Sequence, residues 1–298
     1  MSTARHSPKN VGILGLGIIG SRVASGLRQT GFNVFVWNRS AKLAPNFLGS
    51  PAEVAEECGV IQIFVADAEA TLKMIDAMSP ALGPNHVVIS HGTIGLEGTM
   101  EAARRVTATG AQFLEAPFTG SKIAAEKRQL VYYIGGDDAV FQRVKPLLEA
   151  SSKAIVKIGK VGQAAVVKVV TNMISAASVQ VLAESLAIVR AAGIAPETLA
   201  AAIEQNAMRS GVTDLKLPKM IAGDYEPHFS LKHMLKDVKL GLTLAQQFSL
   251  NTPGSSAISD IMQSAVTRGW GDYDFAAVAK LYENGATGLL LKNSASES

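Results

Sequence analysis

One cysteine in 298 residues leaves an intrachain disulfide without a second thiol. Cys58 stands near the end of a helical stretch, just before an apolar run, and reads as core filler. No set of Cys and His has metal-ligand spacing, so no metal is expected. An excess of one charge is also missing. The 28 Lys and Arg against 25 Asp and Glu give +3, scattered along the chain, too little for a nucleic-acid surface. The first ten residues lack the apolar run of a secretion signal, and no apolar stretch reaches the ~20 residues that span a bilayer. A cytoplasmic protein without nucleic-acid or membrane partners is the expectation.

What the chain has is apolar mass: 48% apolar and 18% charged residues over a length that suits two domains. The first half alternates β-rich runs with helical stretches. Strands are expected at 11–14, 33–37, 60–65, 86–90, 112–115, 130–134 and 154–158. Helices are expected at 19–29, 50–57, 68–78, 95–107 and from Asp137 or Asp138 to 148. In the second helix Ser50 is the N-cap and Pro51 takes the first helical position. This alternation predicts an α/β doubly wound parallel sheet with helices on both faces. Past Gly162 the pattern changes. Residues 164–192 contain almost no breaker and are apolar around most of the circumference, which predicts a long helix buried on nearly all sides. Helices at 196–205, 231–248, 254–268 and 275–283 follow. The expected division is a sheet domain over 10–160 and an all-α domain over 161–291, joined by the long helix, with flexible tails at 1–9 and 292–298.

Gly15-Leu16-Gly17-Ile18-Ile19-Gly20 is a GxGxxG between the first strand and the first helix. Gly15 allows a tight turn, Gly17 lets a diphosphate approach the backbone, and Gly20 lets helix and sheet pack closely. The diphosphate would rest on the helix N-terminus. The reading is a Rossmann-type dinucleotide site; the plain alternative is a glycine-rich turn. At the end of the second strand an NAD site would carry an acidic residue for the ribose. Asn38-Arg39-Ser40 stands there instead, which favours NADP(H) over NAD(H), with Arg39 as a planar phosphate ligand unless it is simply solvated.

Lys168 and Asn172 are four residues apart on the long helix and share a face. A lysine among Val166, Val167, Val169 and Val170 is either a buried amine able to exchange its proton near neutral pH or a snorkelling side chain whose head reaches water.

The ordered set of motifs resembles the β-hydroxyacid dehydrogenase family over about residues 10–290. Besides the glycine loop, the substrate motif of that family appears as Glu115-Ala116-Pro117-Phe118-Thr119-Gly120-Ser121. The catalytic motif matches at Gly159, Gly162, Lys168 and Asn172, and a distal motif at Lys236-Asp237-Val238-Lys239-Leu240. The resemblance implies hydride transfer between a nicotinamide and a small carboxylate-bearing carbonyl compound, with Lys168 as general acid and base. Asn172 would hold the substrate or orient the lysine. Thr119, Gly120 and Ser121 would bind substrate, with Phe229 and Asp237 beside them. Val65, Ala66, Asp67 and Thr93 would line the cofactor, and Lys236 would reach it from the helical domain. Phe229 as core and Lys236 paired with Asp237 are the bland alternatives.

The chain departs from the family pattern at Thr119 for Ser, Phe118 for Val, Gln163-Ala164 after Gly162, and Ser90-His91-Gly92 before Thr93. Gly120-Ser121-Lys122 and Asn38-Arg39-Ser40 are most similar to the glyoxylate and succinic semialdehyde reductase branch. An imine reductase of this fold generally lacks the lysine, and a non-catalytic structural module has lost it. Lys168 argues against both. The long helix predicts a homodimer or homotetramer built on the helical halves.

Overall fold

The computed structural model describes Ser7 and residues 9–283, so the expected tails at 1–9 and 292–298 lie largely or wholly outside the described residues. Two compact units divide the chain, Met1–Val169 and Val170–Ser298.

In the first unit the elements run β1 (Asn10–Leu14), α1 (Gly20–Gln29), β2 (Asn33–Trp37), α2 (Pro51–Glu57), β3 (Val60–Ile63), α3 (Ala68–Met78), β4 (Val87–Ser90), α4 (Gly95–Ala108), β5 (Gln112–Glu115), β6 (Phe118–Thr119), α5 (Lys122–Glu126), β7 (Leu130–Gly136), α6 (Asp138–Glu149) and β8 (Ser152–Gly159). The sheet order is β2-β1-β3-β4-β5-β7-β6, with β8 also on β7. From β2 to β5 every pair is parallel. β7 runs antiparallel to β5, and the stretch between them holds the two-residue β6 and the five-residue α5. Both of these short elements escaped the sequence pattern.

Side chains alternate between the two faces of the sheet. Val11 and Ile13 of β1 join one buried cluster and Leu14 the other; Val87 and Ile89 of β4 part from Val88 in the same way. Ser50 accepts the Glu53 amide at 3.2 Å as the expected cap of α2. Cys58 is fully buried, and burial pushes its thiol up to about 12, which leaves it inert.

The long helix is α7, Gln163–Ala191, whose 29 residues extend across the boundary between the units. By length and composition it could cross a membrane, which corrects the expectation that no stretch is long enough; 44% of its most apolar window is buried inside the protein. It is also not buried all round. Val170, Ile174, Val181 and Ile188 are exposed, and at ~100° per residue they lie within about 40° of one another.

In the second unit α8 (Pro196–Glu204), α9 (Gly211–Ala222), α10 (Leu231–Gln247) and α11 (Pro253–Ala265) surround a buried 3-10 segment, Phe275–Tyr282. α9 was not expected, since Pro218 interrupts its pattern; Ser210 and Thr213 close a capping box at its start. Asp274 fixes the 3-10 segment. Its carboxylate takes the buried Lys216 ammonium at 2.7 and 2.9 Å and the amides of His228, Phe229 and Ala276, so both charges are met inside the core.

One buried polar network ties three strand ends together in the first unit. His91, just after β4, lies 2.7 Å through Nδ1 from the Ala116 carbonyl and 2.9 Å through Nε2 from the Gln62 side chain on β3. It stacks on Phe64 with ring centres 4.2 Å apart. A ring that donates from Nδ1 presents a lone pair at Nε2, so the Gln62 amide must turn its NH2 toward the ring. That orientation gives the buried Gln62 nitrogen an acceptor it otherwise lacks. Burial pushes His91 down to about 3, so the ring is neutral near pH 7. Between pH 6.5 and about 3 the unfolded chain binds a proton that the folded chain refuses, so stability falls as pH falls through that window. In urea titrations across it, His91→Gln is expected to lose this component of the slope; an unchanged slope would contradict the assignment.

Candidate active site

The carboxyl ends of β1, β2, β3 and β4 converge where the strand order reverses, at β1 and β3, the place where open α/β sheets bind ligands. The glycine loop stands there. Gly15 has φ +98, and a Cβ on it would meet the Phe64 carbonyl oxygen at 2.2 Å. A Cβ on Gly20 would meet the Gly15 carbonyl at 2.0 Å, whereas one on Gly17 would meet nothing within 4 Å. The three roles expected from spacing are thus occupied: a turn, an open approach and a tight packing point. Ile18 and Ile19 lead into α1, which has no side-chain cap and no acidic residue in its first turn. Its N-terminal amides and dipole therefore suit an anion. An open cleft of about 570 Å³ flanks the loop, lined by Leu16, Gly17, Arg22, Arg28 and Lys42 among others. These features fit a dinucleotide diphosphate.

Asn38 does something the sequence reading did not foresee. Its Oδ1 accepts the Leu16 amide at 2.9 Å and its Nδ2 donates to the Ser40 carbonyl at 2.8 Å, so its side chain fastens the glycine loop to the end of β2. Arg39 and Ser40 stand exposed beside it. Lys42 was missed altogether. Its Nζ donates to the Leu16 carbonyl at 2.6 Å in the wall of the cleft; a second basic residue soon after Arg39 was the available signal. At the ends of β3 and β4, Val65 lies against the Gly15 and Gly92 backbones. Ala66 is exposed, and Thr93 is half-buried. The Asp67 carboxylate caps α3 by accepting the Ala70 amide at 2.8 Å.

The substrate segment follows β5. Thr119 and Gly120 are exposed. Ser121 caps α5 through the Ala124 amide, so its hydroxyl already has a structural partner. Phe118 is half-buried and packs toward Phe64, ring centres 6.2 Å apart, which places it at the margin of the core.

Lys168 is 8% exposed on the second turn of α7, which selects the buried reading over the snorkelling one. Gly162, at φ +95, turns the chain into the helix, where a Cβ would strike Leu96 at 2.7 Å. The first helical amides are met from β5: Glu115 Oε1 accepts from Ala164 at 2.9 Å and Oε2 from Ala165 at 3.0 Å. Burial pushes the Glu115 carboxyl up to about 7, against the pull of the Ala164, Gly162 and Ala165 amides.

In the second unit Asn172 donates through Nδ2 to the buried Asp237 carboxylate at 2.5 Å. Lys236 Nζ lies 2.8 Å from the other Asp237 oxygen; this is an ion pair, because that oxygen accepts no well-directed hydrogen bond. Asp237 is 1% exposed; there it accepts from Asn172 and pairs with Lys236. Phe229 packs edge-on to Phe275, ring centres 6.1 Å apart, as part of the core.

Residues 10–159 match the family model described as the NAD binding domain of 6-phosphogluconate dehydrogenase. Residues 162–282 match the NAD-binding model of NADP-dependent 3-hydroxyisobutyrate dehydrogenase. Glyoxylate/succinic semialdehyde reductase 2, chloroplastic, of Arabidopsis thaliana is 33% identical, over 90% of this chain and 78% of its own. Glyoxylate/succinic semialdehyde reductase 1 of the same plant is 31% identical, over 90% and 96%. The fold is that of Mycobacterium tuberculosis 3-hydroxyisobutyrate dehydrogenase in its structure with L-serine, at TM-score 0.84 and 22% identity, covering 92% of this chain and 99% of that one. With two family models dividing it almost end to end, the chain belongs to the β-hydroxyacid dehydrogenase family of NAD(P)-dependent hydroxyacid dehydrogenases and reductases.

Proposed function

We propose that this protein is an NADP(H)-preferring reductase of small aldehyde acids, of the glyoxylate, succinic semialdehyde or 3-hydroxyisobutyrate type, with Lys168 as general acid. The observation that carries the reading is the burial of the Lys168 side chain on the second turn of α7. The names of the Arabidopsis relatives support the substrate class. When bound, the nicotinamide supplies the hydride. The protein contributes the rest. Gly15 to Gly20 and the α1 amides hold the diphosphate, while Arg39 and Lys42 supply positive charge for a 2′-phosphate. Val65, Ala66 and Thr93 line the cofactor. Thr119 and the Gly120 amide take the substrate carboxylate. Lys168 gives its proton to the oxygen that was the carbonyl, and takes one back in the oxidative direction. Asn172, oriented by Asp237, holds the lysine or the substrate oxygen in line.

NADPH oxidation assayed with these aldehyde acids and with cyclic imines tests the class; turnover of imines alone would refute it. Lys168→Ala is expected to lower kcat by about two orders of magnitude or more with little change in cofactor affinity, and wild-type turnover in that variant would remove the role. Arg39→Ala is expected to weaken NADPH more than NADH, read as a fall in the ratio of the two kcat/KM values; a constant ratio would contradict the 2′-phosphate assignment. A homodimer or homotetramer belongs to the same reading, supported by the exposed stripe of Val170, Ile174, Val181 and Ile188. Light scattering of the purified chain decides it, and a monomer at assay concentration would count against it.

A further inference from the structure

We infer that Glu115 is a positioning residue for the reaction: its carboxylate holds the first turn of α7 and so fixes where Lys168 stands. The inference rests on the general-acid reading of Lys168 and goes beyond it.

A helix leaves its first amides without intrahelical partners, and the second and third helical positions are those a capping side chain normally satisfies. α7 begins at Gln163, so these are Ala164 and Ala165. The chain just before them offers no acceptor. Gly162 has no side chain, and the Gln163 side-chain oxygen is turned back to the Lys160 amide at 2.9 Å. Both alanines are buried, so water does not replace a cap, and leaving either amide unmet would destabilise the helix start. Glu115, 2% exposed at the end of β5, brings both oxygens to them from 49 and 50 residues away. The Gly162 amide adds a third contact.

The space for this carboxylate is built in. A Cβ on Gly135, the residue paired with Glu115 across β5 and β7, would lie 2.0 Å from Oε1. The far side of the connection is short as well. Lys168 is one helical turn beyond Ala164, and Thr119 is four residues beyond Glu115. One side chain therefore links the strand that leads into the substrate segment to the helical turn just before the amine. Rotating or sliding that turn moves the amine, and displacements of about 1 Å at a reacting group can cost about 10²-fold in rate.

The test uses the full chain at about pH 8.5, where Glu115 is ionised. Glu115→Gln keeps the size of the side chain but replaces one acceptor oxygen with a donor. The expected result is a kcat lowered about tenfold or more with cofactor KM unchanged, together with amide hydrogen exchange at Ala164 and Ala165 faster by about tenfold or more. Glu115→Asp, which restores the charge with less reach, is expected to recover part of both. Should Glu115→Gln not fold, Gly135→Ala gives the same reading, because its methyl would fall 2.0 Å from Oε1, 2.7 Å from Cδ and 2.8 Å from Cγ of Glu115 and so moves that carboxylate off the two amides. Wild-type exchange at Ala164 and Ala165 in the folded variant overturns the clamp. Wild-type kcat beside an inactive Lys168→Ala overturns the positioning role and leaves the general acid standing, whereas turnover surviving in Lys168→Ala overturns both.

Discussion

A helix that begins inside a protein must have its first amides met by something, and in this chain a carboxylate from a distant strand meets them. Glu115 accepts from Ala164 and Ala165 where the local sequence offers only Gly162 and a glutamine turned elsewhere. The contact sets the rotational phase of α7 at its origin. Everything that follows on that helix inherits the phase, Lys168 and Asn172 first of all. The same device recurs within the second unit, where the buried Asp237 holds the Asn172 amide. Two acidic side chains thus hold the first turn of α7 and the Asn172 side chain.

The cofactor end is organised differently, by absences. No Cβ stands on Gly17 to block an approach, and none on Gly20 to hold α1 off the loop. No acidic residue stands in Asn38-Arg39-Ser40 at the end of β2. Asn38 then ties that bare loop to the end of β2, accepting from Leu16 and donating to Ser40. The carboxyl edge is stiffened by a neutral histidine. Because burial keeps His91 uncharged, the rim gains its link from β3 through β4 to Ala116 without adding a cation beside the substrate segment.

Local signals were legible in the sequence. The Ser50 cap, the strand over Asn33–Trp37, the helix over Ala68–Met78 and the glycine roles each depend on a few neighbouring residues. What escaped depends on length or on distance. β6 and α5 are too short to show a period, and Pro218 hides α9. Asn38 meets a partner 22 residues away, Glu115 partners 49 and 50 away, and Asn172 one 65 away. No spacing rule reaches so far. Lys168 itself was visible because a charge among valines is costly whatever its partners are.

Glu115 also shows why motif position and physical role can diverge. It opens the segment that resembles a substrate motif, yet its two oxygens point to a helix that begins 48 residues later in the chain. The hydropathy of α7 misleads in a related way. Its composition reads as burial on every side, but the apolar surface serves two ends. At ~100° per residue, Ala164, Ala165, Lys168 and Asn172 lie on the side opposite Val170, Ile174, Val181 and Ile188. One side carries the buried polar groups and their anchor; the other leaves an apolar stripe in the open. A helix required to do both cannot show a strong amphipathic period, because residues on its two opposed faces are apolar for different reasons: exclusion of water around an amine on one, and an unmet surface on the other.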